Sequence, residues 1–179
     1  MTSHVVRTAC LMAGILVFAN LAMPQAGAVG PDQAKAEQVA LAAAQKDSKI
    51  TLEDGINASG GREGTPISAK FEMEGEHLQF SAYTSKGGDF TEVVVDPGSG
   101  AIKSAEKITD LDDLANAKSQ KAAMDKAAVS LLAAAQKAAK GNTGAQLISI
   151  MPELEAGRPV ATIVLLRAND FSTIKGSLD

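Results

Sequence analysis

Few residues in this chain have side chains suited to covalent or metal chemistry. Its 179 residues include one cysteine, Cys10, and two histidines, His4 and His77. A single cysteine cannot form a disulfide within the chain and cannot build a cysteine-based zinc ribbon or finger. Cleavage of the export signal read below would leave no cysteine and only His77, which excludes Cys–His catalysis and makes a Ser–His–Asp triad rest on His77 alone. His77 stands beside Glu74 and Glu76 at a hairpin tip. That setting suits a solvated turn histidine; a weak metal or proton-sensing site is the competing role. There is no H-E-x-x-H pair and no EF-hand spacing. We therefore assign no catalytic, cofactor-binding or metal-binding residue and expect a protein that is not an enzyme.

The carboxylates carry the second kind of chemistry. Glu72, Glu74, Glu76, Glu92, Asp96 and Glu106 are spaced to put acid on one sheet face. Such a face would attract a basic partner or calcium. It is also what alternation produces on the solvated side of a one-sided sheet, the reading we take. The stretch Gly60-Gly61-Arg62-Glu63-Gly64 is glycine-rich but lacks the GK[ST] ending and has no strand before it. It reads as a loop. The net charge of −4 argues against a nucleic-acid binder, whose footprint is basic.

Residues 1–28 read as an export signal. Arg7 precedes an apolar run from Thr8 to Met23, Pro24 breaks it, and Ala26-Gly27-Ala28 supplies small residues for cleavage between Ala28 and Val29. The run of 16 residues is short of the ~20 needed to span a bilayer. No twin arginine is present, so the general secretory route is expected. Cleavage would remove Cys10, His4 and Arg7, leaving 16 Lys+Arg against 21 Asp+Glu. A cysteine-free, acidic chain suits the periplasm or the exterior, with no stable membrane insertion after cleavage.

The elements that must position these residues run through one order twice. Ile50-Thr51-Leu52 returns as Val129-Ser130-Leu131 at an offset of 79; Glu72-Met73-Glu74 returns as Glu153-Leu154-Glu155 and Phe90-Thr91 as Phe171-Ser172, both at 81. In the first copy a helix is expected at 32–47, then a short helix capped by Thr51 with Asp54 at its third position and stopped at Gly60-Gly61. Period-two strands follow from Pro66 to Glu74 and through Leu78, Phe80 and Ala82, then at 89–95 and 101–106. Asp96-Pro97-Gly98-Ser99-Gly100 is the tight turn between the last two. In the second copy helices are expected from Leu111 to Ala127 and from Ser130 to before Gly141. Strands at 146–155, 159–167 and 170–175 follow, with no fourth strand. The boundary falls in the charged stretch 106–113, giving repeats 29–108 and 109–179. Each is small for an independent core, and Phe71, Phe80, Tyr83, Phe90 and Phe171 must serve both. The copies are expected to pack together, through sheets or through alanine-rich helix faces. The last strand of each copy leaves an open edge for strand addition; Lys86, Lys103 and Lys107 are the candidate edge guards.

The segment 90–102 (FTEVVVDPGSGAI), preceded by the hairpin 71–88, resembles the PepSY domain family. Val95, Asp96, Gly100 and Ile102 match its V-D-x-x-x-G-x-I/V ending, and 51–59 matches its opening helix. In the second copy 153–166 and 171–179 fit the hairpin and third strand, without the Asp-x-x-x-Gly turn. The resemblance covers about 50–179. It implies an α+β fold of two tandem PepSY-like repeats, each with helices packed on a small antiparallel sheet. Asp96, Gly98 and Gly100 are its structural turn. It also implies a non-enzymatic exported protein that regulates a peptidase or another envelope protein. A small-ligand or metal-binding periplasmic module is the alternative.

Overall fold

The computed structural model describes residues 30–61 and 63–179. The proposed export signal and its Ala28–Val29 cleavage site lie outside the described residues. Four α-helices and seven strands are present among those described: α1 (Pro31–Ala44), α2 (Leu52–Ser59), β1 (Thr65–Glu74), β2 (His77–Lys86), β3 (Asp89–Val95), β4 (Ile102–Lys107), α3 (Leu111–Met124), α4 (Leu131–Gly141), β5 (Gln146–Glu155), β6 (Arg158–Arg167) and β7 (Asp170–Ser177). A 3-10 turn at Gln45–Asp47 extends α1. The fold is α+β. No described helix is long and apolar enough to cross a membrane.

The strands form one antiparallel sheet in the order β4-β3-β2-β1-β5-β6-β7, rather than a small sheet for each half. The join is short: Ala69 faces Ile150 and Lys70 faces Ser149 across β1 and β5. Both joining strands shift register at the same place, between Pro66 and Ser68 in β1 and between Leu147 and Ser149 in β5. The extra residues are Ile67 and Ile148. A bulge bends its strand and sharpens the local twist, and the β1–β5 pairing is confined to these two positions.

One sheet face carries α1, α2 and α4. Strand alternation aims Ala69, Phe71, Phe80, Ala82, Val93, Val95, Ile150, Ala161 and Ile163 into this main core. The buried positions of α2 are Leu52, Gly55, Ile56 and Ser59, and those of α4 are Leu131, Ala134, Ala135 and Ala138. Both sets follow the i, i+3, i+4, i+7 spacing of one helical stripe. Thr51 and Asp54 form a reciprocal capping box at the start of α2, and Ser130 accepts from the Ala133 amide at the start of α4. The two helices pack on one another above the β1–β5 join. The two halves therefore associate through a shared sheet, and the alanine-bearing face of α4 packs on the Leu52, Gly55, Ile56 and Ser59 face of α2 rather than on a second alanine face.

The opposite face is not open throughout, which corrects the one-sided sheet. Helix α3 lies across it. Ser68 and Met151, which point away from the main core, meet Gln120 of α3: the Ser68 hydroxyl donates to Gln120 Oε1 at 2.7 Å, and Gln120 Nε2 lies 3.7 Å from Met151 Sδ. A second core of Ile67, Tyr83, Phe90, Ile108 and Ala117, with Leu114 and Met124 against it, fills this side. The sequence shows no broad apolar stripe in α3, because its buried positions, Ala117, Gln120 and Ala123, are small or polar. Its start is fixed by Asp110, which accepts from the Asp112 and Asp113 amides. It ends at Met124, short of the expected Ala127, and α4 runs through Gly141 instead of ending before it.

Candidate functional site

The turn at Asp96–Gly100 is tied to itself. Asp96 Oδ1 accepts from the Gly98 amide at 3.1 Å and the Ser99 hydroxyl at 2.9 Å. Its Oδ2 faces Lys103 Nζ at 3.0 Å. Its amide donates to the Ala101 carbonyl and its carbonyl accepts from the Gly100 amide, both at 2.8 Å. Lys103 and then Ser99 hold the Asp96 carboxyl below the usual aspartate range. Gly100 is in the left-handed region at φ +74°, whereas Gly98 is not. Of the two glycines, only Gly100 is needed for its backbone freedom. The Pro97 carbonyl accepts from the Lys49 amide at 2.9 Å, anchoring the turn to the chain ahead of α2.

Beside this turn lies a shallow cleft of about 220 Å³, lined by Asp47, Ser48, His77, Leu78, Asp96 and Lys103 among others. His77 opens β2, opposite Glu74 in register, and is exposed. The expected turn is present at 75–76, but His77 also borders a concavity whose other walls come from the end of α1 and from the β3–β4 turn. No group of three or more His, Cys, Asp or Glu among the described residues is arranged to hold a metal ion.

The acidic residues do not form one continuous face. Glu72, Glu74, Glu92 and Glu106 share the α3 side of the sheet by alternation, with Glu92 directly opposite Glu106. Glu76 lies in the β1–β2 turn and Asp96 in the motif turn. Glu92 is half-buried rather than solvated. It accepts from the Ser81 hydroxyl at 2.5 Å. Glu72 pairs with Lys70 and accepts from Gln79 Nε2 at 3.2 Å. Burial raises the Glu92 carboxyl above the ordinary glutamate range, Ser81 partly offsets this, and Glu72 and Asp113 add to it while Lys70 opposes it. The polar partners Lys70, Gln79 and Ser81 were visible in the alternation; the contribution of Asp113 from α3 was not.

The outer strands are β4 and β7, as expected for the last strand of each half. Lys103 and Lys107 do sit on an edge, paired with Asp96 and Asp89. Lys86 does not: it ends β2, which lies between β1 and β3.

No family model matches this chain, and no curated protein or solved structure matches it either.

Proposed function

We propose that the chain is an exported, non-enzymatic binding protein, built of two PepSY-like units, that regulates a peptidase or another protein of the cell envelope. The observation that carries this reading is the motif turn. Asp96 directs its carboxylate to Gly98, Ser99 and Lys103, so the motif builds the β3–β4 hairpin and supplies no reacting group. The hairpin in turn presents an exposed strand, with Ile102, Lys103, Ala105, Glu106 and Lys107 all open to solvent. Ile102 is a large apolar side chain left 47% exposed among charges, a composition suited to the rim and centre of a protein contact.

Two features support the duplicated unit. The bulges at Ile67 and Ile148 are 81 residues apart, the offset of the hairpin repeat. The buried stripes of α2 and α4 are 79 apart, the offset of the capped helices. Fold alone does not fix function, so the test is direct. The immobilised protein is exposed to an envelope fraction and retained proteins are compared with those held by an Ile102→Asp variant. Retention of a peptidase or other envelope protein by the parent chain and its loss in the variant support the reading. Identical retention by both, or none, rejects it.

The cleft beside His77 favours a second reading, a small-ligand or metal-binding module. A rise in melting temperature on adding Ca²⁺, Zn²⁺ or Cu²⁺, abolished by His77→Ala, would select it; a flat response would remove it.

A further inference from the structure

The two outer strands differ in how they are protected. Strand β4 is short and carries Lys103, Glu106 and Lys107 within six residues. Its pairing with β3 skips Lys103, where the register shifts between Val94 and Val95. A bulge and a lysine at an edge both oppose further strand pairing. Strand β7 lacks the bulge. It runs for eight residues, Asp170–Ser177, pairs with β6 without a register shift, and contains no proline. Of its two charged residues, Asp170 lies at the turn end. Lys175 is drawn inward, with Nζ 3.2 Å from Glu155 Oε1 and 3.5 Å from Glu153 Oε1 on β5. Its ammonium reaches across β6 to these carboxylates, as Lys107 of β4 reaches to Asp89, so the bulge and the strand length are what distinguish the two edges.

We propose that β7 pairs antiparallel with β7 of a second copy of this chain, forming a closed two-fold dimer with a continuous sheet. A two-fold axis through Thr173, perpendicular to the sheet, keeps the helix-bearing faces of both copies on matching sides. It sets Thr173 against Thr173 and Phe171 against Lys175 of the other copy. Threonine pairs are favourable cross-strand neighbours. The two Lys175 side chains then lie four residues apart along the seam, about 13 Å at the ordinary strand rise, beyond a Debye length at physiological salt. No like charges are brought face to face. Head-to-tail pairing of β7 with β4 would generate an open filament, and the Lys103 bulge blocks it. One open edge and one blocked edge leave the isologous pair as the assembly that closes.

The test is sedimentation velocity over a concentration series on the secreted product of the full sequence. We expect a reversible monomer–dimer equilibrium. Thr173→Lys should weaken the dimer at least about tenfold, near 1.4 kcal/mol, without lowering the melting temperature at dilutions where only monomer is present, and Ala105→Lys on β4 should leave the dimer unchanged. Thr173→Cys, in a Cys10→Ser background, should give a disulfide-linked dimer on mild oxidation. A chain that stays monomeric up to about millimolar concentration overturns the proposal. So does a dimer insensitive to Thr173→Lys and uncrosslinked by Thr173→Cys, or one dispersed by Ala105→Lys. Protection of β7 amides only when envelope extract is added would assign the edge to another protein's strand and likewise overturn self-pairing.

Discussion

The backbone of Gly55 in α2 rests against the ring of Phe80 in β2: a methyl group on Gly55 would lie 2.5 Å from Phe80 Cε2. The ring has little freedom to move aside. Phe71 meets it edge-on, with centroids 5.3 Å apart and planes at 76°, and Phe80 is fully buried. The glycine sits in the middle of a helix, where it costs about 1 kcal/mol relative to alanine, because α2 must come this close to the sheet.

Gly55→Ala should therefore destabilise the protein by about 1–2 kcal/mol, the overpacking penalty exceeding the gain in helix propensity. Adding Phe80→Leu should recover part of that loss, with a coupling of roughly 1 kcal/mol between the two sites. Denaturant melts of the two single variants and the double variant measure it; simple additivity would show that the contact is not the cause.

The Ser68–Gln120 bond holds α3 to the second face. Gln120→Ala should cost about 1–3 kcal/mol, because it strands the Ser68 hydroxyl in a site that is only 2% exposed. Combining Ser68→Ala with Gln120→Leu removes both polar groups and should cost less than Gln120→Ala alone. The same melts check this order.

Much of the fold was legible because short-range chemistry specifies it. Thr51 and Ser130 mark the starts of α2 and α4, and the alternation of Phe71, Phe80 and Val93 with their polar neighbours marks the strands. Helix α3 was placed along the chain but not on the sheet. Its buried positions are Ala117, Gln120 and Ala123, too small and too polar to announce a buried face. Glu92 was consequently read as solvated. The cleft was missed for a different reason: Asp47, His77 and Asp96 meet only after the strands are paired, and no local pattern joins them.

Glu92→Gln tests the buried carboxyl. Below the unfolded value of about 4.5, the acid is protonated in both states and the substitution should be nearly neutral. As pH rises past that value the unfolded chain ionises first, while the folded state resists, so the parent protein loses stability through the window up to its raised folded value. The variant, which still offers Ser81 an acceptor, should melt higher at pH 7 and at the same temperature at pH 3. Thermal melts across this range decide it, and a variant that melts lower at neutral pH would contradict the assigned cause.

Asp96 has the opposite sign. Its carboxyl is held below the ordinary value of 3.8, so its contribution is present above that pH and is lost as pH falls through the folded value. Asp96→Ala should lower the melting temperature at pH 7, and the gap should close in strong acid. Asp96→Asn, which keeps an acceptor for Gly98 and Ser99 but loses the Lys103 pair, should fall between. Equal melting of all three at pH 7 would show that the turn does not depend on the carboxylate.

Action by binding is the central proposal for this chain. The most direct measurement is the rate of proteolysis in an envelope fraction as purified protein is added. A saturable change in that rate, abolished by Ile102→Asp and preserved by His77→Ala, is the predicted result. A rate unmoved at any concentration, or one changed equally by the Ile102→Asp variant, would contradict it.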